Sequence, residues 1–219
     1  MNEKYELTEE FKEIETLREG WLQKIKVYRI RALRAFADVK IGDLGGFVET
    51  KQNLSNMGNA WVYGNAEVYG NAEVCGDAKV YGNAEVCGDA RVCDNAWVYG
   101  DARVCDNAWV RDNAWVCGDA WVCGNAEVCG DAKVCDNANI FWCSSIGSRH
   151  ATTTMFRNKD NGITVTCGCF MGTLEEFAAI VEKEHGENIF GKEYKLLIEL
   201  AKIHFGLQDE TKGEEENGI

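Results

Sequence analysis

A six-residue alternation of apolar and polar positions runs through the middle of the chain. From Ala60 to Ala138 the phrase is alanine, any residue, valine, then tyrosine, cysteine or arginine, and finally glycine or aspartate followed by asparagine or aspartate. Alanine and valine lie two positions apart, so both point to one side of an extended segment, and the intervening residues point to the other. Each unit must stack on its neighbours to bury its apolar side. The pattern predicts a solenoid of short strands.

The last two residues of each unit predict a corner between strands. Glycine adopts a positive φ without steric cost, and asparagine and aspartate tolerate that region better than most residues. Aspartate replaces the corner glycine at Asp94, Asp106, Asp112 and Asp136, which preserves the same conformational logic.

Valine followed four positions later by alanine, as in Val62 with Ala66, resembles the signature of hexapeptide-repeat, left-handed parallel β-helix proteins. The residue after valine departs from that family, which usually has glycine, alanine, glutamate or aspartate there. The resemblance covers residues 54–140. It implies a mainly β fold with three units, about 18 residues, in each coil of a three-sided solenoid, and coils about 4.8 Å apart.

The flanks of the repeat carry a second resemblance. The stretches Tyr28–Leu33, Gly42–Glu49, Asn53–Ser55 and Gly168–Phe177 resemble uncharacterised proteins of bacterial phages and prophages. This resemblance implies a genomic setting rather than an activity.

We expect four regions along the chain. Residues 1–52 form an N-terminal cap, 53–141 the β-helix, 142–207 a C-terminal cap of a strand and two helices, and 208–219 a disordered acidic tail. The acidic, partly amphipathic run from Leu7 to Trp21 is compatible with a helix, and Val27–Leu33 alternates as a strand does.

The C-terminal cap has clear helix signals. Ile163–Cys167 reads as a strand, and Thr173 with Glu176 forms a capping box. Gly186 can end the first helix. We expect the apolar stripes of the two helices to be buried; they consist of Leu174, Phe177, Ile180 and Val181 in the first, and Tyr194, Leu197, Leu200 and Ala201, with His204 and Phe205, in the second.

Composition narrows the function classes. The net charge of −13 disfavours direct nucleic-acid binding and leaves acidic mimicry of a nucleic acid as an alternative. No apolar run is long enough for a membrane span, and the first residues do not resemble a signal peptide. We therefore expect a cytoplasmic protein, in the host cytoplasm if it is phage encoded, with no membrane partner.

Eight of the eleven cysteines occupy the slot after valine. Positions 18 apart stack, so Cys87, Cys105 and Cys123 form one column, and Cys75 with Cys93 and Cys117 with Cys135 form two others. Their spacing is within disulfide reach. Because disulfides are rare inside cells, we expect free thiols.

Few residues offer chemistry. Many hexapeptide-repeat proteins are acyltransferases, which need a histidine base near a coil edge. Residues 60–140 contain no histidine, so the candidate base is His150, which lies outside the repeat. Asp94 stacked on Asp112 is a candidate site for a cation such as Ca²⁺. We expect no cofactor, and an acyltransferase remains the alternative to a non-enzymatic protein.

One outward face concentrates aromatic residues. By the 18-residue stacking rule this face carries Trp61, Tyr63, Tyr81, Trp97, Tyr99 and Trp115. Such a surface favours a subunit or partner interface, although cross-strand stacking that only stabilises the sheet explains the same pattern. We predict a non-enzymatic binding or scaffold protein that forms homo-oligomers and engages a host or phage macromolecule, a counter-defence factor being one protein of that kind.

Overall fold

The computed structural model describes residues 3–18 and 20–207. It divides into two compact units, one running to Ile140 and including Phe156–Gly162, the other comprising Phe141–Met155 and the chain from Ile163 onward. The predicted tail, 208–219, lies outside the described residues. Neither helix of the described chain is long and apolar enough to cross a membrane.

The first unit begins with a β-hairpin where the sequence suggested a helix. Strand β1 (Tyr5–Arg18) pairs antiparallel with β2 (Trp21–Ala32). The helix interpretation was wrong because this segment alternates with a period of two: Lys12, Ile14 and Thr16 are half-buried and the residues between them are exposed. The strand expected from Val27 is confirmed as part of β2.

Strand β3 joins this hairpin to the repeat. It spans Leu44–Val48, pairs antiparallel with β2, and pairs parallel with the second repeat strand through Phe47 and Val48. Phe47 packs with Val27 and Tyr69 in a buried cluster. The N-terminal segment thus continues one side of the solenoid beyond its first coil, and covers backbone groups that an open edge would expose.

The repeat forms a parallel β-solenoid of roughly 5 turns with about 18 residues per turn. In the described chain its two-residue strands are β4 (Trp61–Val62), β5 (Glu67–Val68), β6 (Glu73–Val74), β7 (Lys79–Val80), β8 (Glu85–Val86), β9 (Arg91–Val92), β10 (Trp97–Val98), β11 (Arg103–Val104), β12 (Trp109–Val110), β13 (Trp115–Val116), β14 (Trp121–Val122), β15 (Glu127–Val128) and β16 (Lys133–Val134). They form three sheets, ordered β1-β2-β3-β5-β8-β11-β14, β16-β13-β10-β7-β4 and β15-β12-β9-β6.

The predicted inward and outward sides are confirmed. The repeat alanines from Ala60 to Ala132 and valines from Val62 to Val134 are at most 2% exposed. Val98, for example, lies in register between Val80 and Val116. At the corners, Asp94, Asp106 and Asp112 adopt φ of 59°, 59° and 61°, the conformation that glycine has elsewhere in the repeat.

After a short 3-10 turn (Asn137–Asn139), a four-stranded sheet follows in the order β17 (Ile140–Ile146), β18 (Ala151–Arg157), β19 (Ile163–Cys167) and β20 (Phe170–Thr173). Helices α1 (Leu174–His185) and α2 (Ile189–His204) complete the second unit. The capping box of Thr173 and Glu176 is confirmed, and Gly186 ends α1.

The helix stripes differ in part from the prediction. Leu174, Phe177, Val181, Tyr194, Leu197, Ile198, Ala201 and Phe205 are buried with Met155, Ile163 and Val165. Ile180 and Leu200 are 43% and 51% exposed and His204 is exposed as well, so the places of all three in the stripes were wrong. On α2 the neighbouring Ile198 supplies the buried apolar side chain instead, since residues 197, 198 and 201 fall on one helical face.

Candidate binding face

The aromatic side chains lie on the outward side of the β16-β13-β10-β7-β4 sheet, in two columns. Pairing in register stacks Trp61, Lys79, Trp97, Trp115 and Lys133 in the first column. The residues after each valine form the second column, which runs Tyr63, Tyr81, Tyr99, Cys117 and Cys135. We call Tyr63, Tyr81, Trp97, Tyr99 and Trp115 the aromatic face.

The rings of the aromatic face are packed against one another. Trp97 stacks on Trp115 with centroids 5.3 Å apart and planes 4° apart, and Tyr81 stacks on Tyr99 at 5.1 Å and 4°. Edge contacts at 6.1 Å and 6.4 Å, Tyr81 to Trp97 and Tyr99 to Trp115, join the columns. Trp115 is still 40% exposed. The ring positions are therefore held fixed while their outer edges face solvent.

Trp61 does not belong to this face. The sequence placed it with the exposed aromatics, but its side chain is only 1% exposed. Tyr5 and Phe36 cover it, with centroids 6.1 Å and 5.3 Å from the Trp61 ring. The prediction was wrong because the stacking rule gives the direction of a side chain and not what the N-terminal segment lays over it.

A shallow hollow of about 310 Å³ lies at one end of the face, lined by Asp38, Tyr63, Lys79, Tyr81 and Trp97. The Tyr63 hydroxyl donates to Asp38 Oδ1 at 3.0 Å, and Lys79 Nζ donates to the same oxygen at 2.8 Å. The hydrogen bond from Lys79 holds the pKa of Asp38 below its usual value, whereas burial and then Asp38 itself raise the pKa of Tyr63. Asp38 was not foreseen, since it precedes the repeat and no period places it.

The tyrosine column ends in a disulfide. Cys117 and Cys135, one coil apart with Cα atoms separated by 4.3 Å, are bonded to each other. The expectation of free thiols was therefore wrong for this pair. Equivalent side chains on adjacent coils are close enough to form a disulfide. In the described second column only these two residues are cysteines, because the other three are tyrosines.

Cysteine and tryptophan meet on the other two sides. The indole Nε1–H of Trp109 donates to Cys93 Sγ, and that of Trp121 donates to Cys105 Sγ, both at 3.0 Å. Hydrogen bonding from Cys87, and then from Trp121, lowers the pKa of Cys105 to about 7. The 18-residue period predicts the cysteine column. It did not predict the diagonal contact of each cysteine with the tryptophan that follows it by 16 residues.

The two aspartates proposed for a cation are engaged with the protein. Asp94 Oδ2 accepts the backbone N–H of Asp112 at 3.3 Å. Asp112 Oδ2 accepts a hydrogen bond from the backbone N–H of Gly130 at 3.0 Å. The same oxygen forms an ion pair with Arg111 at 2.8 Å. These carboxylates each tie a corner to the next coil, and Arg111 supplies the positive charge that a cation would bring to Asp112.

His150, the candidate base, lies in the second unit. It is exposed in a turn with φ of 48°, and its backbone N–H donates to the Gly147 carbonyl at 3.1 Å. The aromatic face, Asp94 and Asp112 belong to the first unit, so His150 does not share a unit with the other candidate residues predicted from the sequence.

Comparison with known proteins supports the fold. A family model described as the YdcK beta solenoid repeat matches residues 90–105. The match covers less than one coil and indicates a similarity of repeat. No significant match was found among curated proteins.

Proposed function

We propose that this protein is a non-enzymatic β-solenoid scaffold that associates with a second copy of itself through the aromatic face and engages a macromolecular partner. The observation that carries the proposal is the contiguous band formed by the two stacked pairs, Tyr81 with Tyr99 and Trp97 with Trp115. Contiguous apolar surfaces on a protein of this size mark interaction sites.

The stacking also favours binding in energetic terms. Association requires interface side chains to give up rotational freedom, at about 0.5 to 1.5 kcal/mol for each mobile side chain. Rings that are already held by their neighbours lose less rotational freedom on association. Lys79 beside Trp97 and Tyr63 adds a polar margin to the apolar band, a composition typical of an interface core and its rim.

The proposal also includes the repeat family, the origin and the cellular location of the protein. The valine and alanine spacing supports membership of the hexapeptide-repeat, left-handed β-helix family, and the flanks support a phage or prophage origin with action in the host cytoplasm. Nine of the eleven cysteines lie outside the disulfide, which fits a reducing compartment. The partner would then be a host or phage protein.

The test compares tryptophans on the aromatic face with an exposed tryptophan on another side of the solenoid. Trp115 on the aromatic face is 40% exposed and Trp109 on another side is 41% exposed. Changing Trp97 and Trp115 together to serine should weaken self-association by tenfold or more, about 1.4 kcal/mol. Trp109→Ser should change it much less. Sedimentation measures the association constant, and circular dichroism checks that each variant is folded.

The stacked pair contributes to fold stability as well, on the order of 0.5 to 1.5 kcal/mol, so the double variant is compared at a temperature where it is fully folded. If it then associates as the parent does, the aromatic residues only stabilise the sheet and the proposal is wrong.

A further inference from the structure

Three potential metal ligands converge at one corner of the solenoid, away from the aromatic face. The sulfurs of Cys105 and Cys123 and a carboxylate oxygen of Asp106 all lie within 4.8 Å of one another. The two cysteines are adjacent in their column because β11 and β14 pair in register, and the Cys105 N–H donates to the Val122 carbonyl at 3.0 Å. The backbone ladder of the solenoid therefore sets their spacing.

The corner conformation brings in the carboxylate. Asp106 has a φ of 59°, and its Oδ2 lies 4.0 Å from Cys105 Sγ. The same oxygen accepts the backbone N–H of Gly124 at 3.0 Å, so it is aimed across the coil boundary toward the cysteine column. From this arrangement we infer that Cys105, Asp106 and Cys123 bind a thiophilic divalent metal ion of the Zn²⁺ class.

The ligand set decides the kind of metal. Two thiolates and one carboxylate suit Zn²⁺, whereas Ca²⁺ and Mg²⁺ require oxygen ligands. With Zn–S bonds of about 2.3 Å, two sulfurs on tetrahedral zinc lie about 3.8 Å apart. The sulfurs are already within 4.8 Å, so binding requires an approach of about 1 Å or less. The fourth position is left for water or another ligand.

Neighbouring donors orient the ligands. Trp121 Nε1–H donates to Cys105 Sγ at 3.0 Å, and Gly124 N–H holds Asp106. Such outer contacts fix the ligand atoms and usually change metal affinity by about 10- to 100-fold when removed. The proposed metal site shares no residue with the aromatic face. The metal site therefore does not depend on the proposed function.

A second corner provides an internal control. Cys93, Asp94 and Trp109 repeat the arrangement, with Cys93 Sγ 3.7 Å from Asp94 Oδ2 and 3.0 Å from the indole nitrogen. The residue one coil further on is Arg111, which takes the place that Cys123 has at the proposed site. A guanidinium there is cationic and cannot act as a metal ligand.

The experiment titrates chelator-treated, reduced protein with Zn²⁺ by calorimetry and with Co²⁺ by near-ultraviolet and visible absorption, in which the charge-transfer band reports thiolate ligands. All proteins carry serine at Cys117 and Cys135, so that reduction of the disulfide adds no thiols. We expect one tight site with thiolate-to-cobalt absorption. Cys123→Ser should weaken binding by about 100-fold or more, and Trp121→Phe by about tenfold.

Two matched substitutions separate ligand loss from misfolding. Asp106→Gly and Asp94→Gly both restore the glycine that occupies this corner in most units, so both should fold. Only Asp106→Gly should weaken Zn²⁺ binding. Arg111→Cys should create a second site at the control corner and so add a second equivalent of bound metal. Equal affinity in Asp106→Gly and Asp94→Gly, unchanged binding in Cys123→Ser, or a single equivalent in Arg111→Cys would each overturn the proposal.

Discussion

The buried amine of Lys4 predicts an unusual pH dependence of stability. Its side chain is inaccessible to solvent, Nζ donates to the Ala60 carbonyl at 2.9 Å, and the amine lies 5.1 Å from the centre of the Phe36 ring. Burial, and then the positive charge of Arg34, lower the pKa of Lys4 from 10.5 to about 8. No carboxylate is among the hydrogen-bond partners described for this amine.

The pKa values give the size and sign of the effect. One pKa unit corresponds to about 1.4 kcal/mol, so the lowered pKa of Lys4 costs the folded state about 3 kcal/mol while the amine is charged. Below the folded pKa of about 8 this cost is fully present. Between about 8 and 10.5 the folded protein releases the proton that the unfolded chain still holds, so the free energy of unfolding rises with pH.

The substitution Lys4→Met isolates this contribution, because it keeps a long side chain and removes the titrating group. Urea unfolding of both proteins, followed by tryptophan fluorescence at several pH values from 7 to 10.5, gives the difference in stability. Tyrosines and cysteines titrate in both proteins and cancel in that difference. The parent should gain about 3 kcal/mol relative to the variant over this range. Parallel pH curves would refute the reasoning.

Three further outcomes follow from the structure. Val98→Asp should cost about 3 kcal/mol or more in urea unfolding because it puts a charge into the apolar interior, while Glu73→Asp on the outward side should be nearly neutral; equal losses would contradict the assignment of sides. Thiol titration of unfolded protein should find two more reactive groups after reduction, and loss of the Cys117–Cys135 bond should lower stability by up to about 3 kcal/mol; an unchanged thiol count would contradict the pairing. Purified protein should show no acyl-CoA turnover, and turnover that disappears in His150→Ala would establish the acyltransferase alternative.

The solenoid could be predicted from sequence because a short exact period leaves little freedom. Once Ala66 and Val68 are assigned to the interior, every later unit follows, and Asp94 at a glycine position supports the corner assignment. The same period predicted that Trp97 stacks with Trp115, which the structure confirms.

The segments outside the period were harder to predict. The charged run of β1 satisfied the helix pattern as well as the strand pattern until pairing with β2 decided between them. The burial of Trp61 depends on Tyr5 and Phe36, which reach it from other parts of the chain. The approach of Asp106 to Cys123 depends on side-chain direction at a corner, which residue spacing alone does not define.

The most direct test of the central claim is the molar mass of the parent protein in solution. Light scattering after size exclusion, repeated over a hundredfold range of concentration, should give at least twice the 24.4 kDa of one chain at the upper end. That mass should fall to one chain under the same conditions when Trp97 and Trp115 are serine. A mass of one chain for the parent at every concentration would contradict self-association through the aromatic face.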